Sequence, residues 1–426
     1  MSQEENDLFE NWTKTTLGEV SKVQTGPFGS QLKNEQYITG GTPVITVEHI
    51  EDFKIKDFDY PSVTIEDRDR LSKYLLKEGD IVFTRVGSVD LSAYVSKNQD
   101  GWMFSSRMLS VRPTKKVDSK YLSYFFRQPR FRSFIFKISV GATMPSINTG
   151  ILKSIPIKFP QLTEQKAIAK VLTAFDDKIE NLRAQNETLE QTAQTIFKEW
   201  FGKYQIGDEL PEGWKTFKLS ELVKSINGYS YKGKELVDES DEALVTLKSF
   251  DRSGGFQTRG FKPFKGNPKV TQEVVIGDLV VAHTDLTQDA EVLGNPAFIF
   301  DNGGFNRMFI TMDLVKVIPN HKDISTSFLY YLMKDRKFKG HCVGYSNGTT
   351  VLHLSKKAIP DYELPLPIDF KKVNEFSIIA NSTTKKISLN KEAIKNLSET
   401  RDTLLPKLMS GQLRVKNIET IQLAEK

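Results

Sequence analysis

Between Arg107 and Lys158 the chain places eleven Lys and Arg against one acidic residue, Asp118. Fixed cations at that density are suited above all to holding phosphate, because clustered charge raises the local potential and releases counterions from a polyanion. A second basic stretch, Arg307 to Lys357, sets nine Lys and Arg against Asp313, Asp323 and Asp335. Residues 1–106 are the reverse, with 11 Lys and Arg and 18 Asp and Glu, so the net charge of +5 conceals a polarised first half. A helix with its charges turned to solvent is the alternative, since YLSYFFRQPRFRSFIF from Tyr121 and FLYYLMKDRKF from Phe328 both have helical character.

Catalytic chemistry lacks its residues. No GxxxxGK[ST] loop or HExxH pair occurs, and the [DN]PP[YF] signature of amino-methyltransferases is missing. His49, His283, His321, His341 and His353 show no metal-ligand spacing. Pro360-Asp361 is followed by Glu363, but Leu364 and Pro365 stand where a nuclease needs lysine. The single Cys342 excludes an internal disulfide and a cysteine zinc cage, and reads as a small buried thiol. The expectation is a binding protein with no catalytic residue, metal or cofactor of its own. The acidic start MSQEENDLFENW lacks the apolar core of a signal peptide and no later run reaches membrane-spanning length, which predicts a cytoplasmic protein.

The cations belong to a repeated unit. GDIVFTRVG from Gly79 is answered by GDLVVAHTD from Gly277, Arg107-Met108 by Arg307-Met308, and GATMPSINTGILKSIPIKFP from Gly141 by GTTVLHLSKKAIPDYELPLP from Gly348. A period of about 200 residues is a duplicated domain rather than a solenoid repeat. Short apolar runs bounded by Gly, Pro, Asn and Asp predict strands, with no βαβ rhythm. The expected class is α+β: two similar domains with mixed, mostly antiparallel sheets, related by a pseudo-two-fold repeat. Trp12, Trp102 and Trp214 read as core anchors.

Between the copies, from Thr163 to Phe201, Ile168, Phe175, Leu182, Leu189 and Ile196 recur every seventh residue, accompanied by Leu172, Ile179, Asn186, Ala193 and Trp200. That is an a/d heptad seam in which Asn186 would fix register. A second seam near the end carries Phe376, Ala380, Ile387, Ile394, Leu397, Leu404 and Leu408. The two helices are expected to pair antiparallel, each spanning roughly 55 to 60 Å. The expected divisions are a first domain over 1–161, a central helix over 162–202, a second domain over 203–368, a closing helix over 369–413 and a tail over 414–426.

With these features the chain resembles the DNA-specificity subunits of type I restriction-modification systems. The matching residues are Trp12 with LGEV from Leu17, GPFGSQL from Gly26, GDIVFTRVG, SSRMLSVRP from Ser105, and the run from Gly141 through IPIKFPQLTEQKAIAKVLTAFDDKIENL. In the second half they are Gly213-Trp214 with LSEL, GDLVVAHTD, FNRMFI, and TLLPKLMSGQLRV from Thr403. The second copy departs from the pattern with HTD where the first has RVG, and LHLSKK where the first has INTGILKS.

The resemblance implies two target-recognition domains on the two halves of a bipartite, asymmetric DNA site. It also implies two copies of a partner methyltransferase that binds S-adenosylmethionine and methylates adenine, and motor-nuclease subunits that use ATP and Mg²⁺. The base-reading or phosphate-holding residues it points to in the first domain are Gln31, Lys33, Arg85, Ser88, Ser105, Ser106, Arg107, Lys115, Lys116, Thr143, Ser146 and Asn148. In the second they are Lys232, His283, Thr284, Asp285, Asn306, Arg307, Tyr345, Asn347 and Thr349. Arg suits guanine, and Asn or Gln suits adenine, through paired hydrogen bonds. A duplicated scaffold whose coiled coil binds protein and whose domains bind no DNA is the alternative reading.

Overall fold

A computed structural model describes residues 12–56, 58–250 and 255–415. The acidic start through Asn11 and the tail from Lys416 lie outside the described residues. The chain divides into two compact units, one of residues 1–178 with 397–426 and one of residues 179–396. The two expected helical divisions are therefore not separate bodies, because each long helix contributes to both units.

In the first unit an antiparallel sheet runs in the order β2 (Ser21–Thr25), β7 (Met108–Pro113), β4 (Ile81–Thr84), β5 (Ser92–Tyr94). Val111 faces Val23 on one side and Ile81 on the other. All four residues of β4 are buried, which is why IVFT reads as a continuous run rather than an alternation. A smaller sheet sets β3 (Thr42–Ile45) parallel to β6 (Met103–Phe104) and antiparallel to Ser62–Val63. β1 (Thr13–Thr16) pairs with β8 (Pro156–Phe159). The apolar stretch from Tyr121 forms two helices, α1 (Ser119–Arg127) and α2 (Pro129–Ile138), because Pro129 suits the first position of a new helix and not the interior of one. A short helix α3 (Thr149–Ser154) precedes β8.

The second unit repeats this plan. β9 (Trp214–Lys218) pairs with β20 (Glu363–Pro367). The main sheet runs β10 (Val223–Asn227), β17 (Leu314–Pro319), β13 (Leu279–Ala282), β15 (Pro296–Phe298). β11 (Glu242–Val245) lies parallel to β16 (Arg307–Ile310), which also pairs with β12 (Glu273–Val274). Three short strands, β14 (Thr284–Asp285), β19 (Leu352–Leu354) and β18 (Ser346–Asn347), form a further sheet.

The repeated Gly-Asp before β4 and β13 is a structural device. Gly79 and Gly277 adopt φ of 90° and 99°. Asp80 then accepts from the N–H of Lys77 at 2.9 Å and from Arg112 Nε at 2.7 Å. Asp278 accepts from the N–H of Val275 at 2.8 Å and from Lys316 Nζ at 2.6 Å. Each aspartate thus ties its turn to the neighbouring strand.

The long helices are α4 (Leu162–Phe201) and α7 (Lys371–Met409). In the first unit Ile168 and Leu172 are buried in one core with Leu405, Leu408 and the residues beneath the main sheet, while Phe175 and Leu404 are half-buried. In the second unit Ile179, Leu182 and Ile387 are buried, Leu189 packs on the core, and Asn390 Nδ2 donates to Asn186 Oδ1 at 2.8 Å. Phe197, Phe201, Phe328 and Phe376 form an edge-to-face cluster there. Ile394 and Leu397 are half-buried. Within each unit contacts advance along one helix as they recede along the other, so the pairing is antiparallel.

A carboxylate on α4 fixes the first helix after each main sheet. Asp176 accepts from the Tyr124 hydroxyl at 2.6 Å, Arg127 at 2.7 Å and Arg401 of α7 at 2.6 Å. Glu190 accepts from the hydroxyl of Tyr330 of α5 (Thr326–Met333) at 2.7 Å and from Lys334, the residue that follows that helix. Burial opposes ionisation of Asp176, but Arg127, the Tyr124 hydroxyl and Arg401 hold its carboxyl below the ordinary value. A depressed carboxyl pKa stabilises the fold above the unfolded value of about 3.9, and the contribution is lost as pH falls through the folded value. Asp176→Ala is expected to destabilise the first unit by about 3 to 5 kcal/mol in denaturant titrations, since it leaves the enclosed Arg127 guanidinium without its carboxylate and Arg401 with only the exposed Asp402. Asp176→Asn should also flatten the acid limb of the stability curve, and an unchanged limb would place that dependence elsewhere.

Candidate nucleic-acid interface

At the end of the first main sheet where β7 begins, four loops are joined by main-chain hydrogen bonds. The N–H of Arg85 donates to the carbonyl of Arg107 at 2.8 Å, Ile147 to Arg85 at 2.9 Å, Gly87 to Pro145 at 2.8 Å and Gly26 to Met108 at 3.2 Å. Val140 and Ser146 exchange both backbone bonds and close a hairpin whose turn uses Gly141 at φ of 102°. These contacts bring Arg85, Ser105, Ser106, Arg107, Thr143 and Ser146 together. Arg85 lies over the ring of Phe28 and reaches the carbonyl of Ser106 at 3.3 Å. Ser105 is buried, while Ser88, Arg107 and Thr143 are exposed. Gln31 is held by Tyr74, which donates to its Oε1 at 2.6 Å, and Lys33 stands exposed beyond it. Asn148 caps α3 by accepting from the N–H of Ile151 at 2.9 Å.

The second unit builds the same frame and corrects one equivalence read from the letters. The N–H of His283 donates to the carbonyl of Asp313 at 2.7 Å, Leu314 to Thr311 at 2.9 Å, Gly228 to Leu314 at 3.1 Å and Thr311 to Val245 at 3.0 Å. Their counterparts are Arg85 to Arg107, Met108 to Ser105 at 3.0 Å, Gly26 to Met108, and Ser105 to Ile45 at 2.9 Å. A Cβ on Gly26 or Gly228 would fall on the carbonyl of Ser105 or Thr311 respectively. The partner of Arg107 is therefore Asp313, not Arg307. Arg307 opens β16 and is engaged by Glu242 at 2.9 Å and Glu273 at 2.8 Å. Asn306 beside it donates its N–H to the carbonyl of Asp241.

The basic run of the first unit is partly consumed internally. Arg112 pairs with Asp80, Arg127 with Asp176 and Arg132 with Asp90. Arg107, Lys115, Lys116, Arg130 and Lys137 remain exposed. Lys115 and Lys116 follow the far end of β7, about 20 Å of strand away from Arg107, and Lys115 lines a cleft of about 520 Å³ with Arg112 and Lys166.

The family model for the type I restriction modification DNA specificity domain matches residues 9–191 and 211–399. The chain belongs to this family. The MjaIX specificity subunit of Methanocaldococcus jannaschii is 24% identical, covering 96% of this chain and 95% of the relative. The HindI specificity subunit of Haemophilus influenzae is 22% identical, covering 95% and 100%. The crystal structure of the type I S subunit from M. genitalium superposes with a TM-score of 0.58 at 18% identity, covering 93% of this chain and 96% of that one. Among the described residues no helix is long and apolar enough to cross a membrane.

In this type I specificity chain the remaining second-unit residues divide between frame and surface. Thr284 and Asp285 are buried in β14. Burial opposes the Asp285 charge, but the N–H groups of Thr287, Val292 and Leu293 and the Thr287 hydroxyl hold its carboxyl below the ordinary value. Burial also lowers the His283 imidazole, with His353 and Lys356 adding to the effect. Tyr345 stacks on His341, whereas Asn347 and Thr349 are exposed at the β18–β19 turn and Lys232 is exposed on a separate loop. Gly344 to Gly348 spell GxSxG, the letters of a hydrolase nucleophile elbow. Ser346 nevertheless follows a helix, α6 (Arg336–Gly344), and donates to the Val343 carbonyl at 2.7 Å, so the strand-to-helix turn of such an elbow is missing. Phe28 and Met144 are exposed by 52% and 63% on the loops of this frame; GPFG and GATMP are plain in the sequence, but not which way those side chains point.

Asp285→Ala removes a buried acceptor used by four donors and leaves the 285–293 loop without its organiser. We expect a loss of about 2 to 4 kcal/mol in the second unit, with faster amide exchange in 284–293 and 352–354. Unchanged exchange there would show that the loop is held by other contacts.

Proposed function

We propose that this chain is the address-carrying, non-catalytic subunit of a type I restriction-modification assembly, with one unit on each half of a bipartite, asymmetric duplex DNA site. The observation that carries the reading is one backbone frame built twice with different side chains on it, Arg85 and Arg107 in the first unit against His283 and Asp313 in the second. Equal frames with unequal side chains fit two half-sites of unequal sequence, because side chains read base edges while phosphate contacts set position. On this reading Lys33, Arg107 and Lys137 are suited to phosphates or bases beside the first frame, and Asn347 and Thr349 are presented beside the second. Methyl transfer would reside in two copies of a methyltransferase subunit that holds S-adenosylmethionine, and cleavage in motor-nuclease subunits that use ATP and Mg²⁺. The assembly would act on DNA in the cytoplasm.

Replacing residues 203–368 by the equivalent part of a relative should alter one half of the methylated sequence and leave the other intact, read by methylome sequencing of cells carrying the hybrid. Alteration of both halves would overturn the modular reading. The purified chain alone should transfer no methyl group from S-adenosylmethionine to DNA and should gain that activity only with its partner subunit. In salt titrations Lys33→Gln should flatten the slope of log K against log salt by up to about one unit, as expected for a lost phosphate contact, and an unchanged slope would take Lys33 off the phosphates. Lys115→Gln with Lys116→Gln should leave the slope unchanged, and a fall of about two units would instead place both on the DNA.

A further inference from the structure

The corrected equivalence puts Arg107 and Asp313 at one place in two copies of one frame. Both carbonyls do the same structural work, accepting the N–H of Arg85 or His283. Both side chains are left out of it: among the described residues neither the Arg107 guanidinium nor the Asp313 carboxylate takes part in an ion pair, and Arg107 is exposed while Asp313 is half-buried. The preceding residues differ in kind as well, Ser106 in the first unit and Met312, 54% exposed, in the second.

We propose that residues 107 and 313 are equivalent specificity positions, Arg107 reading guanine and Asp313 reading cytosine. The inference rests on the reading of the chain as a DNA-specificity subunit and names two of its base-reading residues. A carboxylate facing DNA is repelled by every phosphate, so its place in such a frame is explained by a base that offers it a donor, and the cytosine amino group is that donor in the major groove. Arginine at the same place meets the two acceptors of guanine, O6 and N7. The side chain sets the base and the unchanged backbone bond keeps the frame, so exchange at either position leaves the fold intact.

The test selects sequences from a random duplex pool with the purified full-length chain, its Asp313→Asn and Asp313→Arg variants, and Arg107→Asp. Thermal melting should be the same for all four. Asp313→Asn should move one position of one half-site from cytosine towards adenine, whose N6 and N7 an amide matches, and Asp313→Arg should move it to guanine, each by about tenfold in relative affinity. Arg107→Asp should change one position in the other half-site from guanine to cytosine. If the Asp313 variants instead bind all sequences more tightly by an equal factor, the carboxylate acts only by repulsion and the proposal is wrong. Unchanged preferences in all variants would also overturn it, while a wild-type chain that selects no sequence would overturn the specificity-subunit reading itself.

Discussion

The apolar seam of α4 cannot be left in water, and where it is buried determines how each unit is built. Leu162–Phe201 contains neither Pro nor Gly and carries its apolar residues on one stripe. In the first unit Ile168, Ala169 and Leu172 are core residues beneath the main sheet, alongside Leu405, Leu408 and Met409. In the second Ala193, Phe197 and Phe201 serve the same purpose with Val373, Phe376 and Ala380. The helix is thus a wall of each core rather than a tether between two finished domains. The first unit is completed only by residues from the far end of the chain. Hydrophobic burial is non-directional and would tolerate a slide of one helix on the other. The amide pair of half-buried Asn186 with buried Asn390 and the Asp176 cluster would not, because a shifted register leaves their polar groups unpaired.

Fixing the frame by main-chain bonds frees the side chains above it. Gly26 and Gly228 allow backbone to approach backbone where any Cβ would collide, and the loops around them are held by N–H to carbonyl contacts that any residue can make. Arg85 and His283, or Arg107 and Asp313, can therefore differ completely while the loops remain superimposable in their bonding. Such a division between invariant backbone work and free side chains suits a protein whose two halves must address different sequences from one scaffold.

Charge in the sequence and charge on the surface are different quantities here. The run from Arg107 to Lys158 is dense in cations, yet Arg112, Arg127 and Arg132 neutralise Asp80, Asp176 and Asp90, and two of those acids lie in the acidic first hundred residues. The polarity seen along the first unit is partly cancelled once its strands and helices bring acidic and basic segments together. What remains exposed is smaller, and Arg107 stands before β7 while Lys115 and Lys116 follow its far end.

The family, the duplication, the two heptad helices and the α+β class were legible because they are written in local order and period. Quoted motifs, the spacing of Ile168, Leu182 and Leu189, and the lone Asn186 in the seam do not depend on knowing any partner. The helix start near residue 162 was legible for the same reason. The equivalence of Arg107 was not, because the letters Arg-Met recur at 307 by coincidence, while the true counterpart is defined by a parallel strand pair, β3 with β6 and β11 with β16, between residues far apart in sequence. Nor could the chain order show that Arg307 is held by Glu242 and Glu273, that Asp285 is spent on four donors, or that residues 397–415 finish the first unit. Each of these is a long-range pairing, and composition and periodicity along a chain record which groups are available but not which of them meet.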